Sequence, residues 1–234
     1  MIADNLQQVS ARIARACALA GRAVESVTLL TVSKTFPAEL VREAVAAGAT
    51  RLGENYVQEG VDKIAALADL RRQIEWHLIG PLQSNKTRIV AEQFDWVHSV
   101  DRLKIAQRLS EQRPAHLPPL QLCLQVNISG EPSKSGLAPG EVGDVARAVA
   151  TLPRVRLRGL MAIPEPTGDM QAQRAPHRAL RELLQSLQAQ GLAMDTLSIG
   201  MSADLEAAVA EGATIVRIGS AIFGQRPAIK APAS

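Results

Sequence analysis

The sequence predicts an α/β fold, a single (β/α)8 TIM-type barrel carrying an extra N-terminal helix. Three observations point there. Apolar runs rich in Val, Ile and Leu recur eight times, segments with apolar residues at helical spacing lie between them, and polar side chains collect at the ends of the runs. Strands buried on both faces read as near-continuous apolar runs, and alternation with crossover helices is what a parallel sheet requires. Eight such units favour a closed barrel. An open doubly wound sheet would use five or six strands and place a Gly-rich loop after the first, where this chain has Ser33-Lys34-Thr35.

The elements follow in order. Residues 1–22 form an amphipathic helix with Leu6, Val9, Ile13, Ala16 and Cys17 on one side, expected to cover the outside or the bottom of the barrel. The strands are expected at 27–34, 51–55, 75–80, 96–100, 120–129, 155–163, 196–202 and 214–224. Helical spacing is read at 38–47, 57–70, 101–112, 141–152, 171–190 and 203–211. Asp101 can cap the helix it starts, and Gly48, Gly191 and Gly212 each follow a helical pattern where a left-handed residue is wanted. No linker or internal repeat divides residues 1–234, so one domain is expected, with a frayed Pro/Ala tail at 227–234.

Composition narrows the function. With 47% hydrophobic and 21% charged residues the chain can build one sizeable core. No stretch approaches the roughly 20 apolar residues that cross a bilayer, and no basic segment leads into an apolar one at the N-terminus; a cytoplasmic protein is expected. Two cysteines, Cys17 in a helical pattern and Cys123 in an apolar strand, argue for buried thiols rather than a disulfide framework or a metal centre. The net charge is only +3, the basic residues are scattered, and 3% aromatic content leaves few platforms for stacking bases. Nucleic acid is therefore not an expected partner, and the small positive excess suits one anionic ligand.

Ligand chemistry in such barrels gathers at the C-terminal strand ends. Lys34 follows the run Val27-Thr28-Leu29-Leu30-Thr31-Val32, so alternation turns it toward the barrel mouth. Desolvation lowers an amine's pKa and frees it to condense with an aldehyde; the competing reading is a solvated lysine just past the strand. Gly200-Met201-Ser202 and Gly219-Ser220 end the last two strands, where backbone N–H groups and serine hydroxyls can hold a phosphate, or where small residues simply make a tight turn. Arg217 lies inside the apolar run Ile215-Val216-Arg217-Ile218. Its partner is either a carboxylate, Glu54 or Asp204, or the nitrogen of a heteroaromatic ring. His77 and His98 read first as satisfied core histidines, Asn55 as a ligand contact or a loop brace, Glu54 as an anchor for a lysine (Lys34 among them) or arginine, and Tyr56 as packing. Lys134 and Ser135 sit before Gly136 on the loop after the fifth strand, a candidate mobile lid.

Taken together these residues resemble the pyridoxal phosphate homeostasis proteins, the YggS/PROSC family. The likeness covers nearly the whole chain through Val32-Ser33-Lys34-Thr35 with Pro37, Gly53-Glu54-Asn55-Tyr56-Val57-Gln58-Glu59, His77-Leu78-Ile79-Gly80-Pro81-Leu82-Gln83-Ser84-Asn85-Lys86, Lys134-Ser135-Gly136, Ser198-Ile199-Gly200-Met201-Ser202 and Val216-Arg217-Ile218-Gly219-Ser220. The resemblance implies a barrel like the N-terminal domain of alanine racemase, with pyridoxal 5'-phosphate (PLP) bound as a Schiff base on Lys34. It also implies phosphate contacts near Ser202 and Gly219, and Arg217 facing the pyridine nitrogen. With these, Asn55, His77, Met201 and Ser220 are the expected cofactor-binding set.

Three functions follow as expectations. The leading one is a PLP carrier or regulator in vitamin B6 homeostasis, without strong turnover, which exchanges PLP with apoenzymes and is a monomer or a weak dimer. Racemases of this resemblance use a second domain to supply an opposing tyrosine, and this chain stops at Ser234, soon after its eighth strand. The second is a low-activity PLP-dependent amino-acid racemase or lyase with Lys34 as one base and His77 or Tyr56 as another. The third is a basic adaptor that binds protein or RNA through its surface.

Overall fold

A computed structural model describes residues 1–130 and 135–224; Lys134 and the tail at 227–234 lie outside the described residues. Eight parallel strands close in sequence order, with the last pairing back onto the first through Thr28 to Thr31 against Ile215 to Ile218. They are β1 (Thr28–Val32), β2 (Arg51–Glu54), β3 (Glu75–Leu78), β4 (Trp96–Val100), β5 (Leu120–Gln125), β6 (Val155–Met161), β7 (Thr196–Ser198) and β8 (Ile215–Ile218). The helices are α1 (Ile2–Leu19), α2 (Ala38–Ala46), α3 (Val57–Ala66), α4 (Thr87–Gln93), α5 (Leu103–Gln112), α6 (Val142–Ala150), α7 (Met170–Ala189), α8 (Leu205–Ala210) and α9 (Ser220–Phe223).

Alternation along the strands separates two cores. Leu52, Trp76, Leu78, Val97 and Leu122 pack outward against helix residues such as Val41, Ile64 and Ile105. Leu30, Val32, Ile79, Trp96, Cys123, Met161 and Ile215 form the smaller cluster inside the barrel. Both cysteines are buried and unpaired with each other, and burial pushes the Cys123 thiol up to about 12.

Several boundaries differ from the sequence reading for identifiable reasons. The expected strands ran on through Lys34, Asn55, Gly80 and Ser202, but the ladders stop earlier because those residues turn over the barrel mouth. The apolar run at 214–224 divides into β8 and the short helix α9. Helix α4 was not anticipated; its buried residues are only Thr87, Val90 and Ala91, too few for a clear periodicity. Asp101 does not cap α5, which begins after Arg102, and its carboxylate accepts from the Arg102 guanidinium instead. Gly48, Gly191 and Gly212 take the positive φ expected of them, at 104°, 91° and 98°.

Helix α1 lies on the outside of the barrel, against α2, α8 and α9, and not beneath it. Its polar side chains reach the turn after β7 and the helix after β8. Arg12 pairs with Glu206 of α8 at 2.6 Å and donates to the Ser202 carbonyl at 2.8 Å, and Asn5 donates to the Ile222 carbonyl at 2.8 Å.

Candidate functional site at the C-terminal mouth

Lys34 stands just past the end of β1 at Val32, on the same side as Leu30 and Val32, where period-two alternation carries it into the mouth. It is half-buried. The Phe36 N–H donates to the Ser33 carbonyl at 3.1 Å, and Thr35 between them takes φ +69°, a left-handed conformation that costs a β-branched residue roughly 1–2 kcal/mol. A charged clamp beside the turn holds that geometry. Lys63 Nζ donates to the Ser33 carbonyl at 2.6 Å, to Glu54 Oε1 at 2.8 Å and to Glu59 Oε1 at 2.6 Å. Ser33 Oγ donates to Glu54 Oε1 at 2.6 Å, and the Thr35 N–H to Glu59 Oε1. Glu54 thus pairs with Lys63, and neither Lys34 nor Arg217 is its ionic partner. Alternation explains this: Glu54 points outward from β2 against Gly60 and Lys63 of α3, while its neighbours Gly53 and Asn55 face inward. Burial raises the Glu54 carboxyl above its ordinary value, against the pull of Lys63 and Ser33.

Lys34, Asn55, Met201, Ser202, Arg217, Gly219 and Ser220 all line one cavity of about 340 Å3, walled by Val32, Phe36, Ile79, Ile163 and Ala203. The sequence reading did not single out Phe36, whose ring stacks on Phe223 of α9 with centroids 4.7 Å apart. A cavity of about 390 Å3 adjoins it, shares Asn55, Ile79, Ile163 and Met201, and extends to Asn127 and Ser135. At the opposite, N-terminal end lies a wider hollow of about 630 Å3. Size alone would favour it, but its arginines are largely committed: Arg51 to Glu75, Arg71 to Asp95, Arg158 to Asp195 and Arg113 to backbone carbonyls. The mouth instead brings together an amine, an arginine and an unsatisfied acceptor, Asn55 Oδ1, which is buried without a hydrogen-bond partner.

Arg217 is 5% exposed, and burial pushes its guanidinium down to about 10, so it remains a cation at neutral pH. Nη1 donates to the carbonyl and hydroxyl of Ser198, and Nη2 to the Ala162 carbonyl at 2.9 Å. Of its five N–H donors, Nε–H and one Nη2–H have no protein acceptor among the described residues. Asp204, the other carboxylate considered for Arg217, is bonded elsewhere: it accepts from the Met201 N–H at 2.7 Å and contacts His177 Nε2 at 2.8 Å, which ties the turn after β7 to α7. After β8, a Cβ on Gly219 would meet the Val32 carbonyl at 2.9 Å, so only glycine lets the chain pass this close to β1. The Ser220 and Ala221 N–H groups, in the first turn of α9, have no intrahelical acceptor.

His77 is a correction to the expected ring contacts. It lies one pleat deeper than Ile79, which takes the mouth position on β3, and it contacts His98 and Glu75 inside the barrel. Tyr56 is 58% exposed and outside the cavity.

Comparison with known proteins agrees with the architecture. The family model "Alanine racemase, N-terminal domain" matches residues 5–227. Among curated relatives, the "Pyridoxal phosphate homeostasis protein" of Pseudomonas aeruginosa is 63% identical over 233 residues, covering 100% of this chain and 99% of its own, and that of Escherichia coli K12 is 55% identical, covering 96% and 97%. The structure of PipY from Synechococcus elongatus with PLP bound superposes with a TM-score of 0.82 at 38% identity, over 96% of this chain and 100% of PipY. Alanine racemase from Clostridium difficile shares the fold, with a TM-score of 0.74 at 14% identity over 97% of this chain and 58% of the racemase. The chain belongs to the alanine racemase N-terminal domain family and, within it, to the pyridoxal phosphate homeostasis proteins.

Proposed function

We propose that this protein binds PLP at the C-terminal mouth, holds it reversibly on Lys34, and takes part in vitamin B6 homeostasis without strong turnover of its own. One observation carries the reading: every expected cofactor contact except His77 lines the same cavity. The residues fit the group. Asn55 Oδ1 lacks a partner that a ligand donor would supply, Arg217 has N–H donors left over, and the turns at Ser202 and Gly219-Ser220 present hydroxyls and N–H groups suited to a phosphate.

PLP supplies an aldehyde that condenses with amines and a ring that can withdraw electrons. Lys34 Nζ is the amine, and the Lys63 clamp sets the turn that presents it. Arg217, protonated at neutral pH, would meet the ring nitrogen as a hydrogen-bond donor, and such a partner would leave the pyridine unprotonated and the ring a weaker electron sink. Phe36, its ring backed by Phe223, makes one apolar wall of the cavity. Among the described lining residues only Lys34 and Arg217 are ionisable, and neither His77 nor Tyr56, the second bases considered for racemisation, is one of them. On this reading the protein hands PLP on to apoenzymes in the cytoplasm, as a monomer or a weak dimer. No helix among the described residues is long and apolar enough to cross a membrane.

The test is spectroscopic. Purified protein is expected to be yellow and to be bleached by borohydride, with the reduced adduct mapped to Lys34, whereas Lys34→Ala loses the reducible adduct. Wild-type stoichiometry of adduct in Lys34→Ala, at any residue other than Lys134, would overturn the assignment. Rapid deuterium exchange at Cα of alanine or serine would favour the enzymatic reading.

A further inference from the structure

A continuous line of polar side chains threads the barrel interior from its N-terminal end to the mouth. Glu75 Oε1 lies 2.9 Å from His77 Nε2, and His77 Nδ1 lies 2.8 Å from His98 Nε2. His98 Nδ1 is 2.7 Å from Ser198 Oγ, which accepts from Arg217 Nη1 at 3.0 Å. His77, His98, Ser198 and Arg217 are each no more than 5% exposed. Barrel centres are ordinarily filled with branched aliphatic side chains, and a partly satisfied buried network is worse than an apolar one. Here every link is made.

The two ends dictate where the protons sit. Glu75 is a carboxylate: against its partial burial, hydrogen bonding from His77 and the charge of Arg51 hold it below its ordinary value. It therefore needs a donor, and His77 must carry its proton on Nε2. His77 Nδ1 is then a bare acceptor, so His98 must donate from its own Nε2. His98 Nδ1 becomes an acceptor in turn, filled by the Ser198 hydroxyl, whose oxygen accepts from Arg217. The opposite orientation would aim a lone pair of His77 at the carboxylate. Both imidazoles are neutral: burial disfavours their charged forms, and the positive Arg217 reinforces this at His98. The other charged groups facing the histidines are Asp95 and Arg51 at His77, with Trp96 stacked on its ring.

We propose that Glu75, His77, His98 and Ser198 act as a positioning relay for Arg217. The chain couples the carboxylate at the N-terminal end to the guanidinium in the mouth, and fixes the side chain with its remaining N–H donors available to the cavity. Arg217 needs such a partner because no carboxylate bonds it directly among the described residues. The proposal rests on the reading of the mouth as a PLP site only for what Arg217 then meets; the relay itself belongs to the free protein.

The experiment has two arms. Long-range 1H–15N spectra of the PLP-free protein with labelled histidine and arginine are expected to show His77 and His98 both as neutral Nε2–H tautomers. In Glu75→Gln the ring signals of His98 and the guanidinium signals of Arg217 should move, although Glu75 touches neither. PLP should then bind about threefold to tenfold more weakly, as for one charge-assisted hydrogen bond weakened at a distance. An Nδ1–H tautomer at either histidine, or unmoved His98 and Arg217 signals in Glu75→Gln, overturns the relay whatever happens to PLP. If the spectra are as expected but wild-type protein takes up no PLP, the relay stands and the cofactor reading falls.

Discussion

Lys34 depends on a second lysine that the sequence left inconspicuous. Lys63 is 5% exposed and bonds two carboxylates and a carbonyl around the turn that bears Lys34. Removing one partner of a buried ion pair strands the other charge at a cost of about 3 kcal/mol or more, whereas removing both is often close to neutral. Lys63→Met is therefore expected to lower the free energy of unfolding in urea by about that amount. The double variant Lys63→Met with Glu54→Leu should recover most of the loss. If the double variant is no more stable than the single one, the clamp is not held by the charge pair. The spacing of Glu59 and Lys63 at i and i+4 was legible in the sequence, but it reads as an ordinary surface pair; only the outward direction of Glu54 shows that the lysine is buried.

Among the elements, α1 has a function that its amphipathic pattern does not reveal. The buried stripe of Leu6, Val9, Ile13, Ala16 and Cys17 was plain from spacing, and with Ile2 it accounts for the docking. Its polar edge reaches one proposed phosphate turn, through Arg12 to the Ser202 carbonyl, and the helix that follows the other, through Asn5 to the Ile222 carbonyl. A half-exposed ion pair such as Arg12–Glu206 contributes little to stability, about 1 kcal/mol at most. Arg12→Ala should therefore leave urea unfolding nearly unchanged while raising the Kd for PLP about threefold, as the turn after β7 loses its brace. Equilibrium titration of PLP against the variant checks this, and an unchanged Kd would mean that the turn holds its shape without α1.

For the molecule as a whole, the polar barrel interior sets a pH dependence. Burial lowers the folded pKa of His77 and His98 below the unfolded value of 6.5. As pH falls through 6.5 the unfolded chain takes up protons that the native state refuses, so stability present above that pH is progressively lost. The slope reaches about 1.4 kcal/mol per pH unit for each histidine. Glu75 works in the same sense lower down, its contribution being complete above 4.5 and lost toward about 2. Glu54, with its pKa raised, opposes the trend as it protonates. Urea unfolding at pH 7.5 and 5.5 should show the fall, and His98→Asn should flatten it; a flat wild-type profile would mean that the interior admits protons.

What the sequence by itself determined was whatever depends on local period. The number and order of the strands, the glycine-ended helices and the inward turn of Lys34 all follow from alternation along a single strand or turn. The same rule placed Arg217, Ser202 and Gly219 at the mouth, because each lies at or just beyond a strand end. Tertiary structure decided how deep a side chain sits and what it meets across the barrel. His77 and Ile79 share a face, and only closure shows that Ile79 fills the mouth while His77 lies below it. His98 meets Ser198 across 100 residues of chain, and Glu54 finds Lys63 on the helix outside. Those contacts are set by the stagger of eight strands closing on themselves, a property of the whole sheet that no single stretch of residues contains.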